Sequence, residues 1–206
     1  MTNVIVPERA TPTAPTMIPA PTPQPTPPGQ TLRDNGVLFL EKEFNQENIM
    51  PLVKQILERN MMTEDKAPEH IKLYINSPGG SVHSAFHLID TIKMSRIPVH
   101  TIAMGLAASC GCLTLMAGVK GHRYVTQNTS VMSHQYSWGS KGKEHELYGI
   151  VKEFEMSSDR MITHYKKCTG KSEAYIRKNL LGATDEWLSP AEVIKHGIAD
   201  KIVETY

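Results

Sequence analysis

"IKLYINSPGGSVHSAFHLIDTIKMSRIPVHTIAMG", Ile71 to Gly105, is the stretch from which the fold follows. "IKLYIN" is a short apolar run of strand type, "SPGGS" a turn, "VHSAFHLIDTIKMS" a helix and "PVHTIAMG" a second apolar strand. Two parallel strands need a crossover of a dozen or more residues between them, and the helix supplies it. The unit therefore predicts a βαβ crossover, a mostly parallel sheet and the α/β class. The same order appears upstream, where the strand "GVLFLEKEF" precedes "NQENIMPLVKQILERNM", with Ile49, Leu52, Val53, Ile56 and Leu57 at helical spacing. Downstream, "HRYVTQNTSVMSHQ" offers strand-forming residues and leads through "YSWGSKGKE", a strand-like segment, into a long helix, about Glu144 to Lys167. Its apolar residues Leu147, Ile150, Val151, Phe154, Met161, Ile162 and Tyr165 keep the helical period. A shorter helix ("SEAYIRKNL"), a turn ("GATDEW"), a helix opened by Ser189-Pro190 and a last strand ("ADKIVET") complete the pattern.

The 206 residues suit one domain with an appendage. Nine of the 14 prolines precede Gly29, so residues 1–31 read as a disordered Pro/Thr-rich tail and 32–206 as the folded domain. Lys and Arg number 22 against 21 Asp and Glu, a net charge of +1, which lacks the positive surface that nucleic acid requires. The longest apolar stretch, Leu106 to Ala117, is too short to span a membrane. Three cysteines, Cys110, Cys112 and Cys168, are too few for a disulfide framework and lack the paired spacing of a zinc site. These features predict a cytoplasmic protein without membrane or nucleic-acid partners.

Chemistry is suggested first by "GLAASCG", Gly105 to Gly111, a strand end running into a helix start. A serine there has unpaired backbone N–H groups nearby that can hold a developing oxyanion. The same features let Ser109 be no more than a helix cap among small packing residues. A nucleophilic serine needs a base, and among nine histidines His134 stands apart at the end of an apolar strand in "VMSHQ". His83 and His87, four apart on one helix face, raise the question of a metal but lack an accompanying glutamate motif. Asp185, Glu186 and Asp200 all qualify by charge to orient the imidazole, and spacing does not decide among them. "TGKS", Thr169 to Ser172, lacks the first glycine of a P-loop.

Taken in order and spacing, "YINSPGGSV", "GLAASCG", "VMSHQ" and "TDEWLSPAEVIKHGIAD" resemble the proteolytic subunit of the Clp protease, a serine peptidase family, from about Gly36 to Val203. The resemblance implies the Clp protease and crotonase-like fold of repeated β-β-α units with a protruding handle helix. It matches Ser109 to the nucleophile, His134 to the general base and Asp185 to the orienting carboxylate, with the backbone N–H groups of Gly80 and Cys110 as the oxyanion hole. It further implies cleavage of unfolded polypeptide inside a heptameric ring, stacking of two rings through the long helix, and feeding by an ATP-driven AAA+ unfoldase. No cofactor or metal is expected in the chain itself. The sequence departs from its relatives at Cys110, where Met is frequent, at Tyr136, where Pro is usual, and at Ala183-Thr184, where an Asp-Arg pair often links rings. A catalytically silent ring subunit, a phage-type maturation protease and a crotonase-like acyl-CoA enzyme are the competing readings.

Overall fold

A computed structural model describes residues 29–137, 139 and 143–204. The chain runs α1 (Gln30–Asp34), β1 (Val37–Leu40), α2 (Gln46–Asn60), β2 (Ile71–Ser77), α3 (Val82–Met94), β3 (Val99–Ala108) and α4 (Cys110–Ala117). It continues with β4 (Arg123–Thr126), β5 (Ser130–Ser133), α5 (Glu144–Thr169), α6 (Glu173–Asn179), β6 (Glu186–Leu188), α7 (Pro190–His196) and β7 (Lys201–Val203). The Pro/Thr-rich tail expected over 1–31 lies outside the described residues up to position 28, and α1 begins at Gln30.

The strand order β1-β2-β3-β4-β7 is parallel throughout, as expected for helical crossovers. One face of the sheet carries the core: Ile71, Leu73 and Ile75 of β2 are fully buried, while Lys72 and Asn76 between and beyond them are not. Polar caps open α2 and α7. Asn45 accepts from the Asn48 N–H, and Ser189 with Glu192 forms a capping box at α7.

The architecture turns on β3. Its first half pairs with β4 through Thr101–Ala103, whereas its second half pairs with β5 through Leu106–Ala108. The change of partner coincides with Gly105, at φ 78, and with a register shift in which Ser77 of β2 faces Ala107 although Ile75 faces Ala103. Asn76 spans the irregularity, accepting from the Leu106 N–H at 3.1 Å. The strand is thereby turned toward β5, which pairs antiparallel with β6.

"HRYVTQNTSVMSHQ" forms two strands, β4 and β5, separated by a turn, as its strand-forming residues imply. Four local expectations are corrected. "GATDEW" is a turn only as far as Asp185, and Glu186 opens the short strand β6, which pairs antiparallel with β5. Leu57 keeps the helical spacing of its neighbours but stays exposed, at the edge of the apolar stripe. The long helix is divided. Met161, Ile162 and Tyr165 enter the core, while Leu147, Tyr148, Val151 and Met156 of its first half lie exposed. Of the strand-like "YSWGSKGKE", Tyr136, Ser137 and Gly139 belong to no strand, Glu144 opens α5, and residues 138 and 140–142 lie outside the described residues.

A buried histidine joins α5 to the helix that follows β3. His164 Nε2 donates to the Leu113 carbonyl at 2.8 Å, and Lys93 Nζ donates to Nδ1 at 3.1 Å, so the ring is neutral with both nitrogens used. Burial, reinforced by the positive charge of Lys93, lowers its pKa from 6.5 to about 4. The unfolded chain therefore binds a proton at His164 that the native state refuses, and stability declines as pH falls from about 6.5 to 4. Urea unfolding across that window should show a shallower decline in His164→Gln, by up to one proton or about 1.4 kcal/mol per pH unit. Equal slopes in the two proteins would contradict this assignment.

Candidate active site

Ser109 stands between the last residue of β3 and the first of α4, at φ 53 and ψ −115. It is the one non-glycine residue with positive φ among the described residues, a conformation costing about 1–3 kcal/mol. The sequence lacks a Gly-x-Ser-x-Gly elbow, yet the backbone makes the same kind of strained strand-to-helix corner, which exposes a serine hydroxyl. Two bonds hold it there. The Ser109 N–H donates to the Met132 carbonyl of β5 at 2.8 Å, and the Leu113 N–H donates to the Ser109 carbonyl at 3.1 Å.

That first bond sets the contact between Ser109 and His134. Continuing β5 past Met132 and Ser133 brings His134 beside Ser109, and His134 Nε2 lies 2.7 Å from Ser109 Oγ. In the Nδ1-protonated tautomer, Nε2 accepts the Ser109 hydroxyl at this distance. Both side chains are partly buried, so a substrate can still reach them. His134 is fixed from behind by its neighbour: Ser133 Oγ donates to the Leu180 carbonyl at 2.5 Å and receives the Tyr165 hydroxyl at 2.7 Å, all within the core. This anchor on α5 and α6 has no local sequence signal; only a polar pair buried by a distant helix reveals it.

The three carboxylate candidates separate clearly. Asp200 accepts from Arg123 Nε at 2.8 Å, Arg123 Nη2 at 2.6 Å and the backbone N–H groups of Gly121 and Arg123. Burial opposes its charge, but these donors hold its pKa down at about 2. It is a structural partner of an arginine that is 1 % exposed. Glu186 pairs with Ser133 in the β5–β6 ladder. Continuing that antiparallel register puts Asp185 opposite His134, where cross-strand side chains share a face. Asp185 is exposed and makes no hydrogen bond to His134 among the described residues.

The glycine turn completes the site. A Cβ built on Gly79 would lie 2.7 Å from Ser109 Cβ and 3.2 Å from the Cys110 nitrogen, so this turn runs directly against the serine. The Gly79 carbonyl accepts from the Phe44 N–H and the Ser81 N–H donates to the Phe44 carbonyl, each at 2.7 Å. Gly80, at φ 138, sits between these bonds, and its own N–H has no acceptor among the described residues. Nor does the Cys110 N–H, at the first position of α4. Sequence reasoning missed Phe44, which is placed opposite Gly80 by an isolated parallel bridge beyond the end of β1.

Other candidates disperse. His83 Nε2 lies 2.9 Å from Glu153 Oε1, and no three His, Cys, Asp or Glu side chains are grouped to hold a metal among the described residues. The thiols of Cys110 and Cys112 are pushed up by burial to about 11 and about 12, which removes them as nucleophiles. A groove of about 760 Å³ on the exposed sheet face, bordered by Tyr74, His100 and Tyr124, includes none of Ser109, His134 and Asp185. There His70, His100 and His122 stack at 4.3 and 4.1 Å between ring centres.

Sequence comparison gives one consistent answer. The family model described as Clp protease matches residues 28–206. The chain is similar to "ATP-dependent Clp protease proteolytic subunit 1" of Prochlorococcus marinus, 31% identical over 168 residues, which cover 82% of this chain and 84% of that protein. It is also similar to "ATP-dependent Clp protease proteolytic subunit" of Deinococcus radiodurans, 32% identical over 173 residues, covering 84% and 82%.

Any side chain at position 79 must displace Ser109 or strain a backbone at φ 100. Gly79→Ala should reduce reaction of Ser109 with a fluorophosphonate probe at least tenfold while the protein remains folded by circular dichroism. Undiminished labelling would show that the turn does not constrain the serine.

Proposed function

The chain belongs to the Clp protease family, and on that premise we propose that it is a serine endopeptidase subunit whose nucleophile is Ser109. The observation that carries the residue assignment is the 2.7 Å contact between Ser109 Oγ and His134 Nε2 at a strained strand-to-helix corner.

In this reading His134 takes the hydroxyl proton as Ser109 Oγ attacks a peptide carbonyl. The tetrahedral oxyanion is held by the free N–H groups of Gly80 and Cys110, the latter at the positive end of α4. His134 then protonates the leaving amine, and the acyl group remains on Ser109 until water, deprotonated by the same imidazole, releases it. Asp185 orients the imidazole through Nδ1–H. Its position opposite His134 in the continued β5–β6 register supports this role. The scheme draws on no cofactor or metal in this chain.

We further infer self-assembly into a ring, heptameric as in the resemblance, with an ATP-driven AAA+ unfoldase supplying unfolded polypeptide. The exposed apolar side chains on the first half of α5 support a contact between subunits, including one between stacked rings. Three free cysteines agree with a reducing cytoplasmic setting, and no described helix is long and apolar enough to cross a membrane.

The competing reading, a catalytically silent ring subunit, draws on the exposure of Asp185 and its missing bond to His134. Labelling and kinetics separate the two. A fluorophosphonate should modify the wild-type protein and leave Ser109→Ala untouched, and Asp185→Asn should lower kcat for an unfolded polypeptide by about 10⁴ through the wrong imidazole tautomer. An assembled wild-type protein that never reacts with the probe would establish the silent subunit, and equal labelling of Ser109→Ala would place the nucleophile elsewhere.

A further inference from the structure

Gly79 and Gly80 are consecutive residues at φ 100 and 138, a conformation without Cβ atoms to restrict rotation of the peptide planes. The N–H that is to face the oxyanion belongs to the 79–80 peptide. One side of this turn is held by Phe44: its N–H binds the Gly79 carbonyl and its carbonyl receives the Ser81 N–H, both at 2.7 Å. Because the 79–80 peptide is trans, its N–H points opposite to the carbonyl that Phe44 holds. The next peptide, 80–81, presents its carbonyl away from Phe44, and there it meets the Cys110 thiol, with Sγ 3.2 Å from the Gly80 oxygen.

We propose, resting on the assignment of Ser109 as nucleophile, that the Cys110 thiol is a positioning residue: by donating to the Gly80 carbonyl it clamps the two oxyanion-binding backbone segments to each other. Cys110 then serves the site twice, with its N–H as an oxyanion donor and its side chain as the tie to the other donor's residue. The chemistry of the thiol suits this. It is buried beside Ser109, and the same burial that raises its pKa keeps it protonated and hence a donor across the working pH range. A thioether at this position has no hydrogen to give, so the clamp is a property of cysteine here and not of the backbone corner alone. The bond is weak in itself, but a backbone donor displaced by a fraction of an ångström loses much of its transition-state stabilisation, and removing one such donor costs about 10²–10³ in rate.

The test compares Cys110→Ala, Cys110→Val and Cys110→Ser in the assembled full-length protein. Ala and Val remove the donor, one leaving space and the other filling it, whereas Ser restores an O–H donor in nearly the same place. The clamp predicts that Ala and Val lower kcat five- to twentyfold at unchanged KM, with a parallel fall in the rate of fluorophosphonate reaction, and that Ser recovers most of both. A purely packing role would show Val close to wild type and Ser close to Ala, and that pattern overturns the proposal. So does a kcat within twofold of wild type in both Ala and Val. The assignment of Ser109 fails separately, if Ser109→Ala still reacts with the probe.

Discussion

A single backbone hydrogen bond, from the Ser109 N–H to the Met132 carbonyl, is the constraint on which the rest of the site depends. It extends the β3–β5 ladder one step beyond Ala108 and so fixes the level at which the serine and the following histidine meet. The ladder exists because β3 changes partner midway, released by Gly105 and supported by the Asn76 side chain. Had β3 stayed straight beside β4 along its whole length, β5 would have had no parallel neighbour at its carboxyl end. Local irregularity in the sheet is thus what joins two residues 25 positions apart.

Around this bond the molecule distributes rigidity unevenly. Ser133, Tyr165 and Leu180 form a buried polar anchor behind His134, and Arg123 with Asp200 ties β4 to the turn before β7. Breaking such a buried ion pair by removing one partner costs about 3–5 kcal/mol, because the other charge stays buried. The strain stored at Ser109 is affordable only because the segments on either side are so firmly bonded. By contrast, the carboxylate opposite His134 lies at the exposed start of a three-residue strand. Ser109 and His134 are thus held in place by buried neighbours, while Asp185 lies exposed just before β6.

Much of this was legible in the sequence, for physical reasons that differ by element. Ile71 to Gly105 announced a parallel crossover because two strand-type runs flank a helix long enough to connect them, and the structure follows that reading, with Lys72, Tyr74 and His100 on the open face of the sheet. Ser109 and His134 could be picked out as strand-end residues, but only co-occurrence of four motifs raised them above a helix cap and a structural histidine. Asp185, Glu186 and Asp200 were indistinguishable by charge, since what separates them is an arginine 77 positions away and the pairing of a strand only three residues long. Phe44, Tyr165 and the Cys110 thiol carry no signal of their own. Each acts through a long-range contact that no window of sequence contains.

The central claim is that one corner of the chain gathers a nucleophile, a base and two N–H donors around the same reacting carbon. The most direct measurement is a crystal structure of the protein after reaction with a fluorophosphonate, whose phosphonyl oxygen mimics the oxyanion. The account predicts phosphorus bonded to Ser109 Oγ, the phosphonyl oxygen about 2.7–3.1 Å from the nitrogens of Gly80 and Cys110, and His134 Nε2 still beside Oγ. Phosphorus on another residue, or a phosphonyl oxygen turned away from both nitrogens, would contradict it.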